Sequence, residues 1–140
     1  MLLASDGRRD FSRTAVARAA ALAGSDPVGV VRIAKIFGSS FGVPHPGLLP
    51  TKQELAEHRG HVDRAIRGLR KSQVQADGQV AATRRASRKL AEIAQLRRVR
   101  AIVIDETEAS GWRRVIEGDV GSELRKKLRH TVIDVEIVPA

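Results

Sequence analysis

Two apolar, β-branched runs, VGVVRIAKI at Val28–Ile36 and RAIVI at Arg100–Ile104, constrain the fold of this chain more than any other feature. A strand with one wet face alternates polar with apolar residues. A strand without that alternation needs cover on both faces, as in a parallel sheet sandwiched between helices. The segments between the runs carry a helical period. From Asp10 to Ala23, Ala15, Val16, Ala19, Leu22 and Ala23 fall on one face. Thr51 and Glu54 have capping-box spacing, and Leu55, Val62, Ile66 and Leu69 follow at helical intervals to Ser72. Ala86, Leu90, Ile93 and Ala94 line a third face within Arg84–Arg97, and Val120, Leu124 and Leu128 a fourth between Gly118 and Arg129.

Shorter strands complete the pattern: Met1–Ser5, ending at Asp6-Gly7; Gln79–Thr83, after an Asp77-Gly78 turn signal; and Thr131–Val138, where Ile133, Val135 and Ile137 alternate with Asp134 and Glu136 as in an edge strand. Strand–helix alternation at these lengths implies crossover connections. The expected fold class is α/β: a five-stranded parallel sheet, doubly wound, with helices on both faces. Residues 1–140 fit one domain, with a Gly- and Pro-rich loop over Phe37–Pro50. In such sheets ligands sit beyond the carboxyl ends of the strands, so Asp6-Gly7 and the loop after Ile104 are the places to search.

The absence of cysteine excludes disulfides, thiol nucleophiles and thiolate metal sites, and fits the cytoplasm. The opening MLLASDG lacks the basic flank of a signal peptide, and no uncharged apolar run approaches the roughly 20 residues needed to span a bilayer. A net charge of +9 raises nucleic acid as a partner, reached through basic helices. The charge is dispersed over several segments, however, and three Phe, one Trp and no Tyr leave little to stack on bases.

The first strand ending in Asp6-Gly7, the second strand VGVVRIAKI, and a fourth strand entering a glycine-bearing loop, a helix and a last strand together resemble the universal stress protein family over essentially the whole chain. That resemblance implies strand order 3-2-1-4-5, of the adenine nucleotide alpha hydrolase-like kind, and ATP in the crevice between strands one and four. It implies that Asp6, with Gly7, meets the adenosine and that main chain around Val31 meets the base. It also implies a phosphate loop of the form Gly, two residues, Gly, nine residues, Gly, then Ser or Thr.

On this sequence the loop positions are Asp105, Glu108, Gly118 and Asp119, with Gly111, Trp112, Arg113 and Arg114 between them. Only the third glycine is kept. Glycines let backbone amides approach phosphates without a side chain in the way. A carboxylate at about 5 Å and an effective dielectric of about 20 instead opposes a phosphate charge by roughly 3 kcal/mol. Two such terms remove most of the roughly 8 kcal/mol of a micromolar complex. The reading is a non-catalytic stress-response or regulatory module with a degenerate ATP loop, and no cofactor or metal is assigned to it. The alternative is an adenine nucleotide in an altered pose, held through Asp6, Gly7, Gly111 and Gly118, with a divalent metal shielding Asp6, Asp105 and Asp119. Asp119 also has a simpler role as a helix cap.

His58 and His61 stand three apart on a helix but lack a third ligand, and read as solvated side chains. His45 lies in the Phe37–Pro50 loop, Trp112 reads as a packing residue, and no serine has the base and orienting acid of a hydrolase triad. The Val- and Ile-rich last strand suits pairing with its own copy, and members of the resembled family commonly dimerise there, so a homodimer is expected.

Overall fold

The computed structural model describes residues 1–36, 49–106 and 119–139. Their elements run β1 (Leu2–Ser5), α1 (Arg13–Ala23), β2 (Val28–Lys35), α2 (Lys52–Lys71), β3 (Ala76–Thr83), α3 (Ala86–Leu96), β4 (Ala101–Asp105), α4 (Val120–Lys127) and β5 (Asp134–Val138). The strands form one sheet of order β3-β2-β1-β4-β5. Every pairing is parallel, with Ser5 opposite Arg32, Ala4 opposite Ile104, and Ile104 opposite Ile137.

The runs without alternation are buried on both faces, as their composition requires. Leu3, Val28, Val30 and Val103 pack under α1 and α2 with Ala15, Ala19, Val62 and Leu69. Their neighbours along the strands, Leu2, Val31, Ile33, Ile102 and Ile104, point the other way onto Leu90, Ile93, Ala94 and Leu124 of α3 and α4. α1 makes its contact through alanines, so the helix lies close to the sheet. Leu22, expected on that face, is 41% exposed because the buried stripe centres on Ala19 and leaves Leu22 at its edge.

Caps set the helix starts. The Ser12 hydroxyl accepts from the Ala15 amide at 3.0 Å, Thr51 accepts from Glu54 at 3.1 Å, and Asp119 accepts from Ser122. α1 stops at Gly24, where φ is 57°.

Two strand boundaries differ from the sequence expectation. β3 begins at Ala76, so Asp77-Gly78 lies inside the strand and makes no turn. A Cβ on Gly78 would stand 2.3 Å from Val62 Cγ1 and 2.9 Å from Ile66 Cδ1, so the glycine admits α2 to the sheet surface. Asp77 is held at 2.9 Å by Arg97. β5 is shorter than Thr131–Val138: the Thr131 hydroxyl donates to Leu128 O at 2.7 Å and closes the turn after α4, and pairing starts at Asp134. No helix among the described residues is long and apolar enough to cross a membrane.

Candidate functional site

The parallel order places the carboxyl ends of β1 and β4 side by side, and β2 runs past β1 by Ile33, Ala34 and Lys35. The β1–α1 segment leaves the sheet at that end. That segment is held by one residue the sequence reading missed. Arg32 is 3% exposed. Its Nη1 donates to the Arg9 carbonyl at 2.6 Å and the Ser5 hydroxyl at 3.2 Å, its Nη2 to the Gly7 carbonyl at 3.2 Å, and its Nε to His58 Nδ1 at 2.7 Å. The available signal was an arginine at the centre of an apolar buried strand, a position that costs free energy unless the guanidinium is fully hydrogen-bonded. Burial pulls the Arg32 pKa below the ordinary arginine value, and Asp10 and Asp6 oppose that shift.

Gly7 is fixed by geometry. Its φ is 87°, and a Cβ there would lie 2.0 Å from the Ile33 carbonyl oxygen, so the loop rests directly on the β2 overhang. Asp6, beside it, turns toward its own loop: it accepts from the Arg8 amide at 3.0 Å and lies 3.7 Å from Arg8 Nε. Val31 is fully buried and paired with Ala4 on one side and Gln79 on the other. Its side chain faces the α3–α4 core. Among the described residues β1 pairs with β2 only as far as Arg32, and β2 runs on past it through Ile33–Lys35.

Asp105 ends β4 and holds the start of α1. Its carboxylate accepts from the Ser12 amide at 3.0 Å and from the Ser12 hydroxyl, and that hydroxyl accepts in turn from Ala15. Asp119 caps α4 and also accepts from the Ser122 hydroxyl at 3.0 Å. Asp6, Asp105 and Asp119 are therefore engaged in three separate local structures. Among the described residues no group of three His, Cys, Asp or Glu side chains could hold a metal ion. Gly111 and Gly118 lie outside the described residues, as do Glu108, Trp112, Arg113, Arg114 and His45.

The histidines are not merely solvated. Burial lowers the His58 pKa, and the positive charges of Arg32 and His61 add to the effect, so the neutral ring accepts from Arg32. His61 Nδ1 lies 2.8 Å from Asp10, which Arg64 approaches at 3.2 Å. Burial acts to raise the Asp10 pKa, but the hydrogen bond and charge of His61, the Phe11 amide and Arg64 hold it below the usual value. α2 thus contributes two histidines behind the β1–α1 segment, a role that spacing along the helix alone did not reveal.

No family model and no curated protein matches the sequence. Solved structures do match the fold. A universal stress protein in complex with cAMP superposes with a TM-score of 0.67 at 16% identity, covering 98% of this chain and 94% of that one. One from Lactobacillus plantarum gives 0.66 at 16% identity, covering 98% and 95%. One from Archaeoglobus fulgidus in complex with dAMP gives 0.61 at 17% identity, covering 97% and 94%.

Proposed function

We propose, from the universal stress protein fold that this chain has, that it is a non-catalytic, cytoplasmic stress-response or regulatory module whose ATP loop is degenerate. The observation that carries this reading is Asp105. The first glycine position of the phosphate loop is occupied by a carboxylate that is already bonded to the amide and hydroxyl of Ser12, so turning it away from α1 would break the two bonds that anchor the helix's capping residue. Asp119 stands where the motif closes with Ser or Thr, and the sequence adds Glu108 at the second glycine. Repulsion of about 3 kcal/mol per carboxylate acts most strongly on a triphosphate.

A second reading has its own support. The structural neighbours in complex with cAMP and dAMP hold nucleotides with a single phosphate, and on this reading Gly7 and the β2 main chain beyond Arg32 meet the nucleoside end. On this reading the site takes a mononucleotide and rejects ATP. Thermal unfolding with ATP or AMP, each with and without Mg²⁺, tests both, since a ligand of the native state must raise stability. The degenerate-loop reading expects no shift with ATP; a Mg²⁺-dependent ATP shift larger than that with AMP contradicts it.

The same proposal includes a homodimer through β5. Among the described residues this strand pairs only with β4, and Val132 just before it is 87% exposed. The Arg125 guanidinium donates to the Val135 carbonyl at 2.9 Å, so pairing along this edge requires that side chain to move. Light scattering should give twice the chain mass. A monomer mass independent of concentration refutes the dimer.

A further inference from the structure

The hydrogen bond between Arg32 and His58 joins two groups that can both carry positive charge, and it exists in only one protonation state. Arg32 Nε donates to His58 Nδ1 at 2.7 Å. A guanidinium has donors only, and a neutral imidazole has one acceptor nitrogen, so the ring proton must sit on Nε2. Adding a proton at Nδ1 removes that acceptor. Two donors, each cationic, then face one another at hydrogen-bonding distance.

The pair is confined on both sides. Arg32 is buried in β2 opposite Ser5, and His58 projects from α2 with its Cε1 3.6 Å from where a Cβ on Gly7 would stand. The remaining donors of Arg32 hold the β1–α1 segment, through the Gly7 and Arg9 carbonyls and the Ser5 hydroxyl. A guanidinium is a rigid planar fork, so a rotation that takes Nε away from a charged ring also takes Nη1 and Nη2 off those three acceptors. The segment and the histidine are thus coupled through one side chain.

Among the described residues, the charged groups around the pair come from α2 and the β1–α1 segment. Burial opposes charge on His58, as do Arg32 and His61, while Glu54 and Glu57 favour it. Asp6 and Asp10 favour charge on Arg32 and Arg64 opposes it; an arginine keeps its proton throughout the neutral and mildly acid range, so His58 is the member that changes. His61 responds in the opposite sense. Its Nδ1 lies 2.8 Å from Asp10, so protonation gives it an ion pair where it costs His58 a hydrogen bond.

We propose that protonation of His58 is a pH switch on the β1–α1 segment: the charged ring breaks with Arg32, the guanidinium turns, and Ser5–Arg9 is released from β2 while the sheet stays folded. The switch needs no ligand and does not depend on which nucleotide, if any, the protein takes.

The test is nuclear magnetic resonance of the full chain between pH 7.5 and pH 4.5. The His58 ring protons give the midpoint of its titration, and hydrogen-exchange protection is followed at the Arg32 Nε–H and the Gly7 amide, with the Val30 and Val103 amides reporting on the sheet. Protection at Arg32 and Gly7 should fall at least about tenfold with the His58 midpoint, while Val30 and Val103 change less than about twofold. His58→Gln keeps an acceptor for Arg32 but does not titrate, and should abolish the fall; His61→Gln should retain it. Three results in the native chain overturn the proposal without any variant: no loss of protection as the ring titrates, which means that the ring swings to solvent and leaves the segment in place; parallel loss in the sheet, which means global unfolding; and a ring that stays neutral throughout. A fall that persists in His58→Gln also overturns it, in favour of another titrating group.

Discussion

Replacing Gly7 with alanine should be one of the most damaging single-methyl additions in the molecule, and Gly24 provides its internal control. Both glycines have positive φ, 87° and 57°. A side chain at either pays roughly 1–2 kcal/mol for that backbone region. The two differ in what the new methyl meets: the Ile33 carbonyl oxygen at 2.0 Å for Gly7, and nothing within 4 Å for Gly24. Relieving a 2.0 Å contact needs a displacement of more than about 1 Å between the β1–α1 loop and β2, an overpacking cost of about 1–3 kcal/mol. Gly7→Ala should therefore lose about 2–5 kcal/mol and Gly24→Ala about 1–2 kcal/mol. Urea unfolding followed by circular dichroism reads both from the transition midpoints. Equal losses would refute the claim that the loop rests on the Ile33 carbonyl.

Two further outcomes concern Arg32 and His58. Arg32→Met should cost about 2–4 kcal/mol in the same assay, because it takes the guanidinium donors from the Arg9 and Gly7 carbonyls and from His58 Nδ1. A cost under about 0.5 kcal/mol would mean water replaces the guanidinium freely. His58 has a folded pKa below its unfolded value of 6.5, so the unfolded chain binds the proton first; stability is full above pH 6.5 and falls as the pH drops from there toward the folded pKa. The unfolding midpoint should thus be lower at pH 5.5 than at pH 7.5, with the difference reduced in His58→Gln. An unchanged difference in that variant would show that other groups carry it.

The sheet was legible because its central strands are apolar on both faces, and strands of that kind have few other homes. Caps were legible for the same local reason: Thr51 and Asp119 do what their positions relative to the helix starts imply. Local signals failed where a tertiary contact outweighed them. Asp77-Gly78 has turn chemistry, yet the glycine serves the close approach of α2. Asp105 looked like an intruder in a phosphate loop, and its bond to Ser12, 93 residues earlier, is invisible without the fold. Arg32 and His58 meet across 26 residues and two elements, so neither spacing nor composition announces the pair. The main chain expected beside the base, near Val30–Ile33, spans the point where β1 ends, since Ser5 pairs with Arg32 and β2 runs on through Ile33, a register that no single-strand pattern encodes.

Calorimetric titration of the native chain with Mg²⁺-ATP, beside Asp105→Gly/Glu108→Gly, tests the degenerate-loop reading most directly. With carboxylates at two glycine positions, the native chain should show no binding tighter than about millimolar. The double variant should gain at least tenfold in affinity, even though losing the Ser12 anchor lowers its stability by about 1–2 kcal/mol. Low-micromolar ATP affinity in the native chain would contradict the account outright, since a loop carrying those carboxylates would then be a working phosphate site.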